Sequence, residues 1–196
     1  MLTRQAKVLS KAQVQSLLTF LSQTRSPERN RVIALLSIRA GLRAKEIAAL
    51  TWGMVTDSHG ELGDTIHLTN SAAKGNSGGS ISMAKELRLA LLEWRAMTRT
   101  PESHHRVITT KRSHATSSQV IVNLFADWYG RLGFDGCSSH SGRRTFITNM
   151  ARNISRFGGS LRDVQALARH GSLAMTQRYI EQNTDAMRKV VDSPWL

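Results

Sequence analysis

Apolar residues recur at helical spacing along most of the chain. Ser10 to Gln13 has the form of a capping box, and Val14, Leu17, Leu18 and Leu21 follow on one face. Ser26-Pro27 places an N-cap before a proline at the first helical position, leading into Val32, Leu35 and Leu36, and Gly41 ends that helix. Another starts near Arg43 and carries Ile47 and Leu50. The period then changes. Ile66 and Leu68 alternate with polar residues, as do Ile81 and Met83, and the small, polar, glycine-rich NSAAKGNSGGS lies between them, which predicts two short strands joined as a hairpin. Helical stripes return at Leu87, Leu91 and Trp94, ended by Thr100-Pro101, and at Ile121, Leu124, Phe125, Trp128 and Leu132, stopped by Gly133. Phe146, Ile147, Met150 and Ile154 mark the next stripe, closed by Gly158-Gly159. Ser160 with Asp163 restarts a helix through Val164 and Leu167, which Gly171 breaks. Ser172 opens a short helix bearing Tyr179, and residues about 184–192 form a last basic amphipathic one.

No internal repeat or linker-like tract interrupts this order. The expected fold class is α+β, mostly α-helical, with helices around a small antiparallel hairpin in a single domain over residues 1–196. Hydrophobic residues at 40%, charged residues at 21% and only 3 prolines exclude disordered and collagen-like classes. No apolar run reaches the ~18 residues of a membrane span, and the N-terminus lacks a secretory apolar region, so a soluble intracellular protein with no membrane partner is expected. The single cysteine, Cys137, cannot build a disulfide framework or a cysteine-rich zinc site.

Charge changes the picture most. The 27 Lys and Arg against 14 Asp and Glu give a net charge of +13, spread through the chain with no basic tail. So much positive charge in a folded body repels itself unless a polyanion neutralises it, and nucleic acid is the partner this suits.

Three tempting motifs fail on context. Gly75-Asn76-Ser77-Gly78-Gly79 matches G-x-S-x-G, but that motif needs a buried strand before it and a helix after it. His104, His105 and His114 suggest metal, yet no carboxylate or thiolate cluster is expected to accompany them, and they read as solvated loop histidines. There is no G-x-x-x-x-G-K-[ST] phosphate loop. Chemistry is therefore expected from side chains alone, with no cofactor, metal or nucleotide.

What remains is a set of basic residues at element boundaries, with one tyrosine. Arg43 stands in GLRAKEIAAL, Lys74 at the hairpin tip, His140 and Arg143 in SSHSGRRTF, His170 in LARHGS, and Tyr179 nine residues later in TQRYI. Helix starts supply free N–H groups and suit anions. In this order and at these separations the residues resemble the catalytic domain of the tyrosine recombinase (phage integrase) family, from the first helix through Tyr179. The layout is similar to that of the short fimbrial phase-variation recombinases.

The resemblance implies roles. Arg43 and Arg143 correspond to the arginines that clamp the scissile phosphate, which a planar guanidinium can grip with two parallel hydrogen bonds. Glu46 would orient Arg43. Lys74 corresponds to the hairpin lysine that protonates the departing 5′-oxygen, with Lys85 as the fallback. His140 would assist proton transfer, His170 would be a second phosphate donor, and Tyr179 would be the nucleophile. The competing readings are a surface Arg43–Glu46 pair, an ordinary loop lysine at 74, structural histidines and a core tyrosine. The only other tyrosine, Tyr129, falls on the helix of Trp128 without phosphate-binding neighbours.

The implied activity is site-specific DNA cleavage and rejoining through a covalent 3′-phosphotyrosine, independent of metal and ATP. The implied partners are double-stranded DNA and further copies of the chain in a synaptic tetramer, in the cytoplasm of a prokaryote or encoded by a phage or mobile element. A type IB topoisomerase-like activity and a non-catalytic DNA-binding regulator are the alternatives. Many relatives carry an N-terminal core-binding domain; this chain is expected to lack it. Departures from the family pattern fall at Gly142, where a bulky apolar residue is usual, at Arg144, where histidine is common, and at Ala168-Arg169, where Leu-Gly is usual. Gly142 and Arg169 are expected to alter local packing and backbone position.

Overall fold

The computed structural model of the chain describes residues 6–73, 78–98, 101–110, 113–179 and 191–192. Helix α1 (Lys11–Ser22) begins as its sequence dictates. Ser10 Oγ accepts from the Gln13 N–H, and the Gln13 side chain accepts from the Ser10 N–H. Helix α2 (Pro27–Arg39) has proline at its first turn, and α3 (Ala44–Ala49) follows across Gly41, whose φ of +65° permits the sharp reversal. A 3-10 turn (Trp52–Met54) leads to strands β1 (Thr65–Leu68) and β2 (Gly79–Ser82), which pair antiparallel with Ile66 opposite Ile81. Because β2, a strand, follows the glycine-rich segment, the G-x-S-x-G match is not a hydrolase elbow. Helices α4 (Lys85–Met97), α5 (Ser118–Arg131), α6 (Ser141–Asn153), α7 (Leu161–Ala168) and α8 (Leu173–Gln177) complete the order. The mostly helical α+β class is as expected.

Helix α2 is the axis of the packing, touching α1, α3, α4 and α6. Val32, Ile33, Ala34, Leu35 and Leu36 are all fully buried, so this helix is apolar all round, where its sequence shows a one-sided stripe. Each large aliphatic side chain removed from water there contributes about 1.5–3 kcal/mol. The same core takes in Leu17 and Leu21 of α1, Ile66 and Ile81 of the hairpin, and Phe125 and Trp128 of α5. A second, small cluster of Phe146, Ile147, Val164 and Ala168 joins α6 to α7.

Two glycines set the seam between these clusters. A Cβ on Gly142 would lie 2.3 Å from Ser37 Oγ, so α6 approaches α2 closely only because residue 142 has no side chain. A Cβ on Gly41 would lie 2.5 Å from the Phe146 ring.

Two boundaries differ from expectation. Helix α7 stops at Arg169, two residues before Gly171, because Arg169 itself takes the left-handed conformation (φ 51°, ψ 49°). Tyr179 lies beyond the end of α8 and is not carried on that helix. The helix expected over about 184–192 lies outside the described residues apart from its last two positions.

Candidate active site

Arg43 is held by its own helix start. As the residue before α3, it donates its backbone N–H to Glu46 Oε2 (2.8 Å) and its Nη1 to Glu46 Oε1 (2.8 Å). This is not the surface pair considered above, since the Glu46 carboxylate is wholly buried. Glu46 accepts a third bond, from Arg169 Nη2 to Oε2 (2.8 Å). Burial alone would raise the Glu46 carboxyl, but the Arg43 N–H and the charges and hydrogen bonds of Arg169 and Arg43 outweigh it and hold it below its ordinary range.

Arg143 ties three segments together. It sits one turn into α6 and is buried, with Nη1 donating to the Gly41 carbonyl (2.6 Å) and Nη2 to the Ala168 carbonyl (2.5 Å). The first carbonyl lies two residues before Arg43 and the second two residues before His170. Burial, then the Arg43 and Arg169 charges, lower the Arg143 guanidinium to about 10, with Glu46 and Tyr179 acting the other way.

His170 follows the left-handed turn at Arg169 and is 6% exposed. Its Nδ1 lies 3.0 Å from the hydroxyl of Thr176, itself buried on α8. Burial foremost, then the charges of Arg143, Arg43 and Arg169, lower its imidazole to about 4. Tyr179 stacks on it, with ring centroids 5.3 Å apart and planes 28° from parallel. The Tyr179 carbonyl accepts from Thr148 Oγ1 of α6 (3.3 Å). His140 is exposed at the N-cap of α6, one turn before Arg143.

The structure thus gathers Arg43, Glu46, Arg143, His170 and Tyr179, with His140 at the mouth of α6. Lys74 lies outside the described residues. The root of its hairpin is described, with Gly78 donating its N–H to Asn70 Oδ1 (3.1 Å) and a Cβ on Gly79 falling 3.8 Å from Arg169 Cδ. Lys85, the fallback, is the first residue of α4. Tyr129 is buried among Phe125 and Phe134, and burial raises its phenol, as befits a core residue.

Sequence reasoning noted Arg169 only as a departure from pattern and passed over Thr176 and Thr148. Arg169 carried one readable signal: a long basic side chain where the chain must turn left-handed. One further correction concerns the histidines. Glu102 joins His104 and His105 in an exposed group whose ligand-type atoms lie within 4.8 Å of one another, so a carboxylate does accompany them. The three are distant in sequence from every residue of the site above.

Fold and site together define a mostly helical α+β domain centred on arginines, a histidine and a tyrosine. Residues 7–186 match the model of the phage integrase family, and the chain belongs to that family. It is similar to the tyrosine recombinase XerC of Herpetosiphon aurantiacus, 27% identical over 91% of this chain and 57% of that protein. It is also similar to XerD of Rickettsia conorii, 24% identical over 94% of this chain and 63% of the relative. The chain therefore spans about three fifths of the length of these curated relatives. Among solved structures, the XerA recombinase superposes with a TM-score of 0.71 at 22% identity, covering 100% of this chain and 66% of that one. The fold is the one these structures share.

Proposed function

We propose that the chain is a site-specific DNA recombinase whose catalytic domain is the region described here, breaking and rejoining DNA through Tyr179. One observation carries the reading. Arg43, Arg143, His170 and Tyr179 come from separate segments, yet Arg143 bonds to carbonyls beside both Arg43 and His170, and the Tyr179 ring lies on His170. The names of the relatives, all tyrosine recombinases, favour it over a topoisomerase or a non-catalytic regulator.

In the proposed reaction a Tyr179 Oη lone pair attacks the scissile phosphorus and the bond from phosphorus to the 5′-oxygen breaks. A phenol is almost wholly protonated at neutral pH, so attack needs an acceptor for its proton, the role of His140. Lys74 gives a proton to the departing 5′-oxygen. Arg43 and Arg143 face the charge that gathers on the non-bridging oxygens. His170, neutral at physiological pH, acts as a hydrogen-bond donor in the tautomer that carries its proton on Nε2, which leaves Nδ1 to accept from the Thr176 hydroxyl 3.0 Å away. The 3′-phosphotyrosyl product conserves the phosphodiester energy, and a 5′-hydroxyl of a second strand reverses the step. No step uses a metal or a nucleotide. Exchange between two duplexes requires four copies of the chain on two sites. The net charge of +13 suits a DNA partner, and bacterial relatives suggest action on bacterial or mobile-element DNA in the cytoplasm.

The test is covalent capture. The protein is incubated with short genomic duplexes, denatured, and the attached DNA is sequenced while the modified peptide is identified by mass spectrometry. DNA joined to Tyr179 through a 3′-phosphate, insensitive to EDTA, is expected. Attachment at another residue, or none across the library, overturns the reading. Strand exchange between two labelled duplexes, against simple relaxation of a supercoiled circle, separates a recombinase from a topoisomerase.

A further inference from the structure

Arg169 combines features that ordinary stability does not call for. It is the non-glycine residue with positive φ among the described residues, a conformation in which glycine is unstrained. Its side chain is 5% exposed, and its Nε and Nη1 are buried with no hydrogen-bond partner among the described residues. Nor does Glu46 need it, since the Arg43 N–H and Nη1 already occupy both carboxylate oxygens. A glycine at 169 would remove the strain, the buried charge and the unpaired donors together. Local rules broken this way, beside a reactive group, point to function.

What Arg169 adds is connection. Its backbone joins directly to His170, its Nη2 holds Glu46 Oε2, and Glu46 holds the Arg43 guanidinium. Its Cδ lies 3.8 Å from the place a Cβ on Gly79, the first residue of β2, would take. One side chain therefore ties α3 to the α7–α8 turn.

We infer that Arg169 is a positioning residue that acts through Glu46 to hold the Arg43 guanidinium and the His170 turn in one fixed arrangement before DNA arrives. Glu46 with one arginine can swing with Arg43 as the side chain moves. Gripped from both sides, it becomes a fixed post. Misplacement of a phosphate-facing group by about an ångström is enough to slow a displacement reaction severely.

The inference rests on the recombinase reading for its kinetic test, so one arm avoids DNA altogether. In Arg169→Gly, single-turnover cleavage of a captured site at saturating DNA is expected to fall by about tenfold or more, with DNA affinity and melting temperature little changed. In a Glu46→Gln background the same change should add almost nothing, because the two act in series. Arg169→Lys, which can still reach Glu46, should recover much of the rate. By NMR without DNA, the Arg43 Nε–H should be sharp in the wild type and Arg169→Lys and broadened in Arg169→Gly. Wild-type cleavage by Arg169→Gly, additive losses with Glu46→Gln, or an equally ordered Arg43 in Arg169→Gly would each overturn the inference. If the wild-type protein forms no adduct, the recombinase reading fails, and the NMR arm still decides the role of Arg169.

Discussion

The region from α1 to α5 and the region from α6 to α8 are built to different standards. The first packs a helix buried on every side among Leu17, Leu21, Ile66, Ile81, Phe125 and Trp128. The second rests on Phe146, Ile147, Val164 and Ala168, with Tyr179 only partly buried against them. Arg43 and Glu46 stand on the first; His170 and Tyr179 stand on the second, tied back by Arg143. The difference teaches a division of labour. Arg43 and its carboxylate sit on deep packing, while Arg143, His170 and the group proposed to form and break a covalent bond stand on the smaller cluster, where rearrangement meets less resistance.

The sharpest way to isolate the second region is Tyr179→Phe. It deletes one oxygen, and covalent DNA adduct should vanish, a loss of about a thousandfold or more in rate by gel assay, with melting temperature unchanged. Adduct at wild-type yield would sink the proposed role. Next, Leu35→Ala in the first region should cost about 2–5 kcal/mol of global stability in denaturant unfolding. Val164→Ala in the second should cost less globally, while raising amide exchange selectively around His170 and Tyr179. Equal and uniform effects would abolish the contrast between the regions.

A third test uses pH. The folded His170 takes up a proton only near about 4, whereas an unfolded histidine does so near 6.5. Between those values the unfolded chain binds more protons, so stability is full above about 6.5 and falls as pH is lowered toward 4, by at most about 3 kcal/mol. Replacement of His170 by Asn should flatten that segment of the stability curve. Bound DNA phosphate should move the His170 titration upward, read by NMR. The smallest effect is expected at the seam, where Gly142→Ala must displace Ser37 and should cost about 1–3 kcal/mol. A neutral Gly142→Ala would mean that α6 can stand off from α2 without penalty.

Local chemistry was legible where it is decided locally. The capping residues of α1 and α7, the alternation within each hairpin strand and the stop at Gly133 follow from neighbours a few residues apart, whereas the register that sets Ile66 opposite Ile81 does not. Arg43 with Glu46 was legible for the same reason, being three apart at a helix start. The all-round burial of α2 was not, because the helices that cover its other faces arrive from far along the chain. Gly142 read as a departure until Ser37 gave it a partner, and the stop of α7 was assigned to Gly171 because sequence rules favour glycine over arginine in the left-handed turn. Thr176 was invisible for lack of a motif: its meaning comes only from where α8 folds back over His170.

The three guanidiniums of Arg43, Arg143 and Arg169 share a single carboxylate, Glu46, among the described residues. In the absence of DNA that imbalance must be met by the solvent's own ions. The free protein is therefore expected to take up small anions there: at equal ionic strength, phosphate or sulfate should raise its melting temperature more than chloride, because a multivalent oxyanion can accept from more than one guanidinium. On the proposed function, a DNA phosphate taking that place would release the small ion, whose dilution into bulk water favours association. By the same linkage, on the proposed function, molecules bound to DNA would be the more stable population and unbound ones the more easily unfolded. If the proposed function holds, a cell making this protein would keep most of its surviving copies on DNA.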